Sequence, residues 1–249
     1  MIVPLRGFLL DRIRHICIDR YKNRGWFMPA DKHTVCSQEA KRGRPRSFDP
    51  DRTLDIIVDV FWENGYAGTS YKALVRATGI NQPSLYAAFG DKDALFEKAL
   101  DRYFDRYGRP GLAPLLDRGA DAPSVIADWF RAGADNLTDR SHPAGCLIVG
   151  TVGESGGDGR IGRHACRCLA ATETALRQCL EDGVQNGSIA QGTDVGALAR
   201  ALTVAWTGMG MFARSGASRD QLIGVAETIV GLVPDARSPS EIKQGPADA

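Results

Sequence analysis

Histidine is scarce in this chain, with four residues in 249, and no stretch of eighteen or more residues is uninterruptedly apolar. His15, His33, His142 and His164 offer little acid–base chemistry. No Ser/His/Asp order, phosphate loop or pair of carboxylates in a matching context accompanies them. An enzyme activity in the C-terminal half is therefore the less favoured reading. The missing apolar run argues against a membrane span. Arg6, Asp11, Arg12 and Arg14 break the apolar start too early for a secretory signal, and no small-residue cleavage site follows. A cytoplasmic protein is expected. Alternating strand patterns, internal repeats and low-complexity tracts are also lacking.

Cysteine is present but unpromising. The six are Cys17, Cys36, Cys146, Cys166, Cys168 and Cys179. In a chain this long without a secretory signal, reduced thiols are the default. Cys166 and Cys168, with His164 just before them, lack the two-residue gap of a zinc knuckle and have no second pair. Neither a metal nor a cofactor is expected.

Charge is nearly balanced, with a net of +1 over the chain, but its distribution is not even. Residues 1–46 carry eleven Lys/Arg against four acids, so a basic arm of +7 precedes a body of −6. Such asymmetry points to a nucleic-acid contact at the N-terminal end. Within the arm, Arg42, Arg44 and Arg46 alternate with Gly43 and Pro45. That composition suits an extended segment along a phosphate backbone or in a minor groove. Met28 offers an alternative start, and the sequence leaves open whether residues 1–27 are translated.

The remainder reads as all-α. Asp49-Pro50 opens a helix carrying Leu54, Ile57, Val58, Phe61 and Trp62 on one face, which ends at Asn64-Gly65. Thr69 or Ser70 caps a second helix, Thr78-Gly79 turns the chain, and Asn81 caps a third with Pro83 near its start. Gly90 stops this helix, Asp91 caps the next, and that one fades near Gly108–Pro110. Two short helices joined by a Gly-containing turn are the layout that puts a second helix into the DNA major groove. Further helical patterns run over 125–136, 146–152, 164–185, 194–214 and from Leu222 to Leu232. The Gly-rich stretch 153–162 interrupts two of them, and it lacks the Lys-Ser/Thr of a phosphate cradle. From Pro234 the polar tail is expected to be disordered.

The order Phe61, Gly65-Tyr66, Thr69-Ser70, Leu74, Ala77, Gly79, Ser84-Leu85-Tyr86, Phe89, Lys92-Asp93 and Leu95 resembles the DNA-binding domain of the TetR family of bacterial transcriptional regulators. This resemblance implies a helix-turn-helix domain over 47–107, a helical ligand-binding and dimerisation domain over 108–233, and a tail over 234–249. It implies a homodimer through the last two long helices, bound to a palindromic double-stranded DNA operator and released by a small-molecule effector. It also gives phosphate contacts to Tyr86 and Lys92. The residues agree with it. Asn81, Gln82 and Ser84 stand at the start of the third helix, where such side chains reach base edges. Thr69, Ser70 and Tyr71 offer hydroxyl and N–H groups to the backbone. Tyr86 shares the polar face of Gln82, whereas Phe89 belongs to the core. The recognition helix has no Lys or Arg. Residues 47–109 carry eight basic residues against ten acids. Phosphate neutralisation is therefore assigned to Arg42, Arg44, Arg46, Lys72 and Lys92.

Candidate ligand-lining residues are Trp129, Phe130, Cys146, His164, Trp206, Met209 and Phe212, each of which also suits core or interface packing. Trp206 in particular stands on a helix assigned to the dimer contact. Cys146 stands at a helix start, where the dipole lowers a thiol pKa. The Gly-Cys-Leu at 145–147 is similar to a segment of family members that sense oxidants or electrophiles. An activator, or a redox-sensing regulator using Cys146, remains beside the ligand-released repressor.

Overall fold

The computed structural model describes residues 48–236. Arg42, Arg44 and Arg46, the rest of the basic arm, and the tail beyond residue 236 lie outside the described residues.

Four helices form the N-terminal part: α1 (Pro50–Gly68), α2 (Tyr71–Thr78), α3 (Gln82–Phe89) and α4 (Lys92–Tyr103). Asp49 caps α1 by accepting from the Asp51 and Arg52 amides. Ser70, Asn81 and Asp91 cap α2, α3 and α4 in the same way. α1 is not a single rod. Gly65 takes φ 71° and ψ 177°, so the helix breaks there and one further turn follows. The sequence expectation of an end at Asn64-Gly65 thus coincides with the break. Ile57, Phe61, Trp62, Leu74, Leu85, Leu95 and Phe96 are fully buried between these helices. Burial of each such side chain contributes about 1.5–3 kcal/mol against leaving it in water.

α4 does not fade at Gly108. It passes through a π turn (Phe104–Gly108), a short helix α5 (Arg109–Leu112) and a 3₁₀ turn (Ala113–Leu116). The C-terminal part follows as α6 (Ala122–Leu137), α7 (Leu147–Ser155), α8 (Gly159–Asn186), α9 (Val195–Arg214) and α10 (Arg219–Val230). α8 is the long central rod: it packs on α4, α6, α7 and α9. The Gly-rich interruption shrinks to Gly156–Asp158, because α7 continues to Ser155 and α8 begins at Gly159. Residues 234–236 are held in extended pairing with 188–190, through Ala190 N–H to the Pro234 carbonyl and Ala236 N–H to that of Ser188.

α9 is long and apolar enough, by length and composition, to cross a membrane, with a mean hydropathy of 1.2. It tolerates this because one face packs on α8, while Val204, Met211 and Phe212 remain exposed on the chain's surface.

Candidate functional site

Two regions carry chemistry. The first is the outer face of α2 and α3. Leu74 and Leu85 bury the inner faces of these helices, and Lys98 Nζ donates to the Phe89 carbonyl at the end of α3 (3.0 Å). Tyr71 locks the angle between them. Its ring stacks on Tyr86 (5.9 Å between centroids) and its hydroxyl donates to the Gly90 carbonyl at 3.0 Å. Asn81 and Gln82 are exposed at the start of α3, Ser84 is half-buried, and Tyr86 is 50% exposed. Asn81 spends its carboxamide oxygen on the Ser84 amide, leaving its NH₂ to donate. Lys92 lies over the Tyr66 ring, with Nζ 4.2 Å from the centroid.

Two of the expected backbone-contact residues have their hydroxyls committed within the fold. Thr69 is 1% exposed, its hydroxyl donates to the Gly65 carbonyl at 2.7 Å, and its N–H is taken by Tyr66. It ties off the break in α1. The Tyr71 hydroxyl is likewise committed to Gly90. Ser70 is exposed, with its Oγ accepting from the Ala73 amide as the α2 cap.

The second region is a cavity of about 290 Å³ between the end of α4, α6, α7 and α8. Trp129, Cys146 and Trp206 line it, as expected, and the Trp129 and Trp206 rings lie 4.5 Å apart between centroids. Trp206 is thus a cavity residue and not only an interface candidate. The other four expected lining residues are elsewhere. Phe130 and Met209 are buried in the core and do not line the cavity. His164 bonds Asp101 of α4 through Nε2 at 2.7 Å. Phe212 is 45% exposed on the outer face of α9. The sequence reading missed the wall supplied by the irregular end of α4, including Tyr103, Phe104 and Tyr107, and also Ile148, Val149 and Thr172. The available signal was an aromatic-rich run leading into Gly108, Pro110 and Gly111, which reads as a helix ending but forms a pocket side.

Cys146 is buried, with the Tyr103 hydroxyl beside its thiol. Burial pushes the thiol pKa up. The Tyr103 hydroxyl and the Val149 and Ile148 amides pull it down by less. Proximity to the α7 N-terminus therefore does not yield a low-pKa thiol, because desolvation of a thiolate outweighs the dipole. Burial also drives the Tyr103 hydroxyl well above its ordinary value. Cys166 and Cys168 stand two apart on α8, so they face different sides. Among the described residues no cluster of His, Cys, Asp and Glu is placed to hold a metal.

Likeness to known proteins follows the same division. The profile of bacterial regulatory proteins, tetR family, matches residues 54–99, and that of the tetracyclin repressor-like C-terminal domain matches 124–229. The chain is 37% identical over 209 residues to the HTH-type transcriptional repressor ComR of Escherichia coli (strain K12), covering 83% of this chain and 98% of that protein. It is 30% identical to an HTH-type transcriptional regulator of Bacillus subtilis (strain 168), YezE, over 72% of this chain and 93% of that protein. Among solved structures it resembles a cysteine mutant of the TetR family regulator CifR complexed with 26-bp operator DNA. That likeness has a TM-score of 0.71 and 32% identity, over 77% of this chain and 100% of that one. Both halves of the fold, and both profiles, lead to one conclusion: the chain belongs to the TetR family of bacterial regulatory proteins and is a helix-turn-helix DNA-binding transcriptional regulator.

Proposed function

We propose that the protein acts as a homodimeric repressor that holds a palindromic operator and is released by a small apolar molecule bound in the cavity beside Trp129 and Trp206. The carrying observation is that one continuous element, α4 with its π turn, packs against the recognition helix α3 at one end and walls the cavity at the other. Asn81, Gln82 and Ser84 read base edges, while Ser70, Tyr86 and Lys92 hold phosphates, with the arm residues Arg42, Arg44 and Arg46 supplying further neutralisation. The exposed apolar face of α9, with α10 beside it, pairs with a second copy, which covers Val204, Met211 and Phe212. Half-site spacing is then fixed by the dimer, and a ligand that favours another spacing releases DNA.

The cavity supports an apolar effector. Its wall is mostly aromatic and aliphatic, with Arg106, Asn136, Thr172, the Tyr103 hydroxyl and the Cys146 and Cys168 thiols as the sparse polar groups that would orient it. A thiol-based trigger at Cys146 is disfavoured by the burial of that thiol. Selection of bound DNA from a random pool tests the reading. A palindrome with half-sites about one helical turn apart is expected, and enrichment of no palindrome would overturn it.

A further inference from the structure

The break in α1 exposes polar backbone on both sides. A helix interrupted in this way leaves carbonyls before the break and amides after it without helical partners. Both sets are met by side chains from the C-terminal part. Arg214, the last residue of α9, donates from Nη1 to the Trp62 carbonyl (2.7 Å) and from Nη2 to the Glu63 carbonyl (3.0 Å). Glu154, near the end of α7, accepts from the Tyr66 amide through Oε2 (3.0 Å) and from the Ala67 amide through Oε1 (2.6 Å). A cation thus meets the orphan carbonyls and an anion the orphan amides, which is the charge order that helix ends favour. Glycine at 65 is required on two counts. Its φ is positive, and a Cβ there would stand 2.9 Å from Glu154 Oε2.

Both arms trace back to one short stretch of cavity wall. Cys146, the residue that precedes α7, and Ile148 and Val149 in its first turn line the cavity. Glu154 stands on the same helix, about 12 Å further along at 1.5 Å per residue. Gly145, one residue before Cys146, lies directly on α9. A Cβ there would be 2.8 Å from the Gly210 carbonyl oxygen and 3.0 Å from Arg214 Cβ. Displacement of 145–149 by a cavity occupant therefore has a route to Glu154 along α7 and to Arg214 across the close approach at Gly145. Close-packed segments of this kind transmit a shift instead of absorbing it. Both routes end at the α1 break, immediately before α2.

We propose that Glu154 and Arg214 are positioning residues, a two-sided clasp on the Gly65 break through which occupancy of the cavity reaches the DNA-reading helices. The clasp rests on the cavity being the effector site. It is distinct from the links of α8 to α4, the Arg160–Glu97 ion pair and the His164–Asp101 bond. It predicts that the backbone beside Gly65, rather than α4 alone, reports the state of the cavity.

Amide hydrogen exchange on the full chain, without DNA, provides the test. In Glu154→Ala the Tyr66 and Ala67 amides are expected to exchange at least about tenfold faster, while Leu85 in α3 is unchanged, since exchange follows local opening. Glu154→Gln, which keeps one acceptor, gives a smaller change in the same direction and serves where the alanine variant loses its near-ultraviolet circular dichroism. Arg214→Met keeps the stem packed on Gly145 but removes the guanidinium, and it too raises exchange at Tyr66 and Ala67. Ile148→Ala, a change in the cavity wall, alters these amides in the parent protein and adds nothing in Glu154→Ala. Unchanged exchange in the Glu154 variants, or a fully additive effect of Ile148→Ala, would overturn the clasp. Because this readout uses no DNA, failure of the operator selection would sink the repressor reading while leaving the exchange result standing.

Discussion

At the scale of single residues, Tyr86 is the sharpest test of the DNA-facing surface. It is half exposed, its ring is braced by Tyr71, and its hydroxyl is proposed to reach a phosphate. Tyr86→Phe is expected to weaken operator binding by roughly 3- to 10-fold, the value of one hydrogen bond of about 1 kcal/mol, with no shift in melting temperature. An electrophoretic titration showing unchanged affinity would remove Tyr86 from the interface. Cys179 supports a second prediction. It is buried on α8, and burial, with Asp182 nearby, raises its thiol from 9.0 to about 12. The folded protein therefore keeps a proton that the unfolded chain releases between pH 9 and 12, so stability falls as pH rises through that window. The slope is at most about 1.4 kcal/mol per pH unit for one thiol. Urea unfolding at pH 8 and pH 10.5 should show a larger loss in the parent protein than in Cys179→Ala. Residue identity alone did not show that the Thr69 and Tyr71 hydroxyls are engaged within the fold. A hydroxyl at a helix start is equally suited to a phosphate and to a backbone carbonyl, and only the fold shows that Gly65 and Gly90 had claimed these two.

At the scale of elements, the starts of α1 to α4 and α9 were legible because they depend on local chemistry, whereas α6 and α8 begin at Ala122 and Gly159, ahead of the apolar stripes expected from 125 and 164. Asp49, Ser70, Asn81, Asp91 and Asp194 each cap where a short polar side chain precedes an apolar period. Helix ends were less legible. The run Tyr103–Leu116 contains Gly and Pro, which mark a stop in isolation. Here Phe104, Leu112 and Leu115 are buried, and packing carries the helical path through a π turn. This irregular stretch forms one wall of the cavity, and the facing helices meet closely. A Cβ on Gly133 of α6 would stand 2.2 Å from the Trp206 ring. Gly133→Ala must therefore push Trp206 into the cavity or part α6 from α9. It is expected to cost about 1–3 kcal/mol, as overpacking does, read as a lower urea midpoint. An unchanged midpoint would show that Trp206 moves freely and that the cavity is not a shaped site.

At the scale of the whole molecule, charge and apolar surface are divided between different partners. The recognition helix is neutral, and residues 47–109 are slightly acidic in sum. Deleting residues 1–46 should therefore weaken operator binding and make log K against log [salt] shallower by roughly 0.9 for each phosphate that the arm neutralises. An unchanged slope would place neutralisation elsewhere, on Lys72 and Lys92. The apolar surface of α9 has the opposite role. Val204, Met211 and Phe212 are exposed in the single chain, and sedimentation of the protein is expected to show a dimer.

The sequence by itself determined the reading module. The caps, the Gly79 turn and the order from Phe61 to Leu95 are local signals, and short-range backbone chemistry suffices to place them. Tertiary structure alone decided what the reading module is attached to. The cavity gathers residues from several helices, and Phe130, His164, Met209 and Phe212 lie outside its wall, since a helical stripe cannot tell core from cavity. The clasp joins Glu154 to amides 88 and 87 residues away, and Arg214 to carbonyls 152 and 151 residues away. Such pairings have no period and no local pattern. They exist because a helix break leaves backbone groups that must be paired, and packing alone selects which distant side chains arrive there.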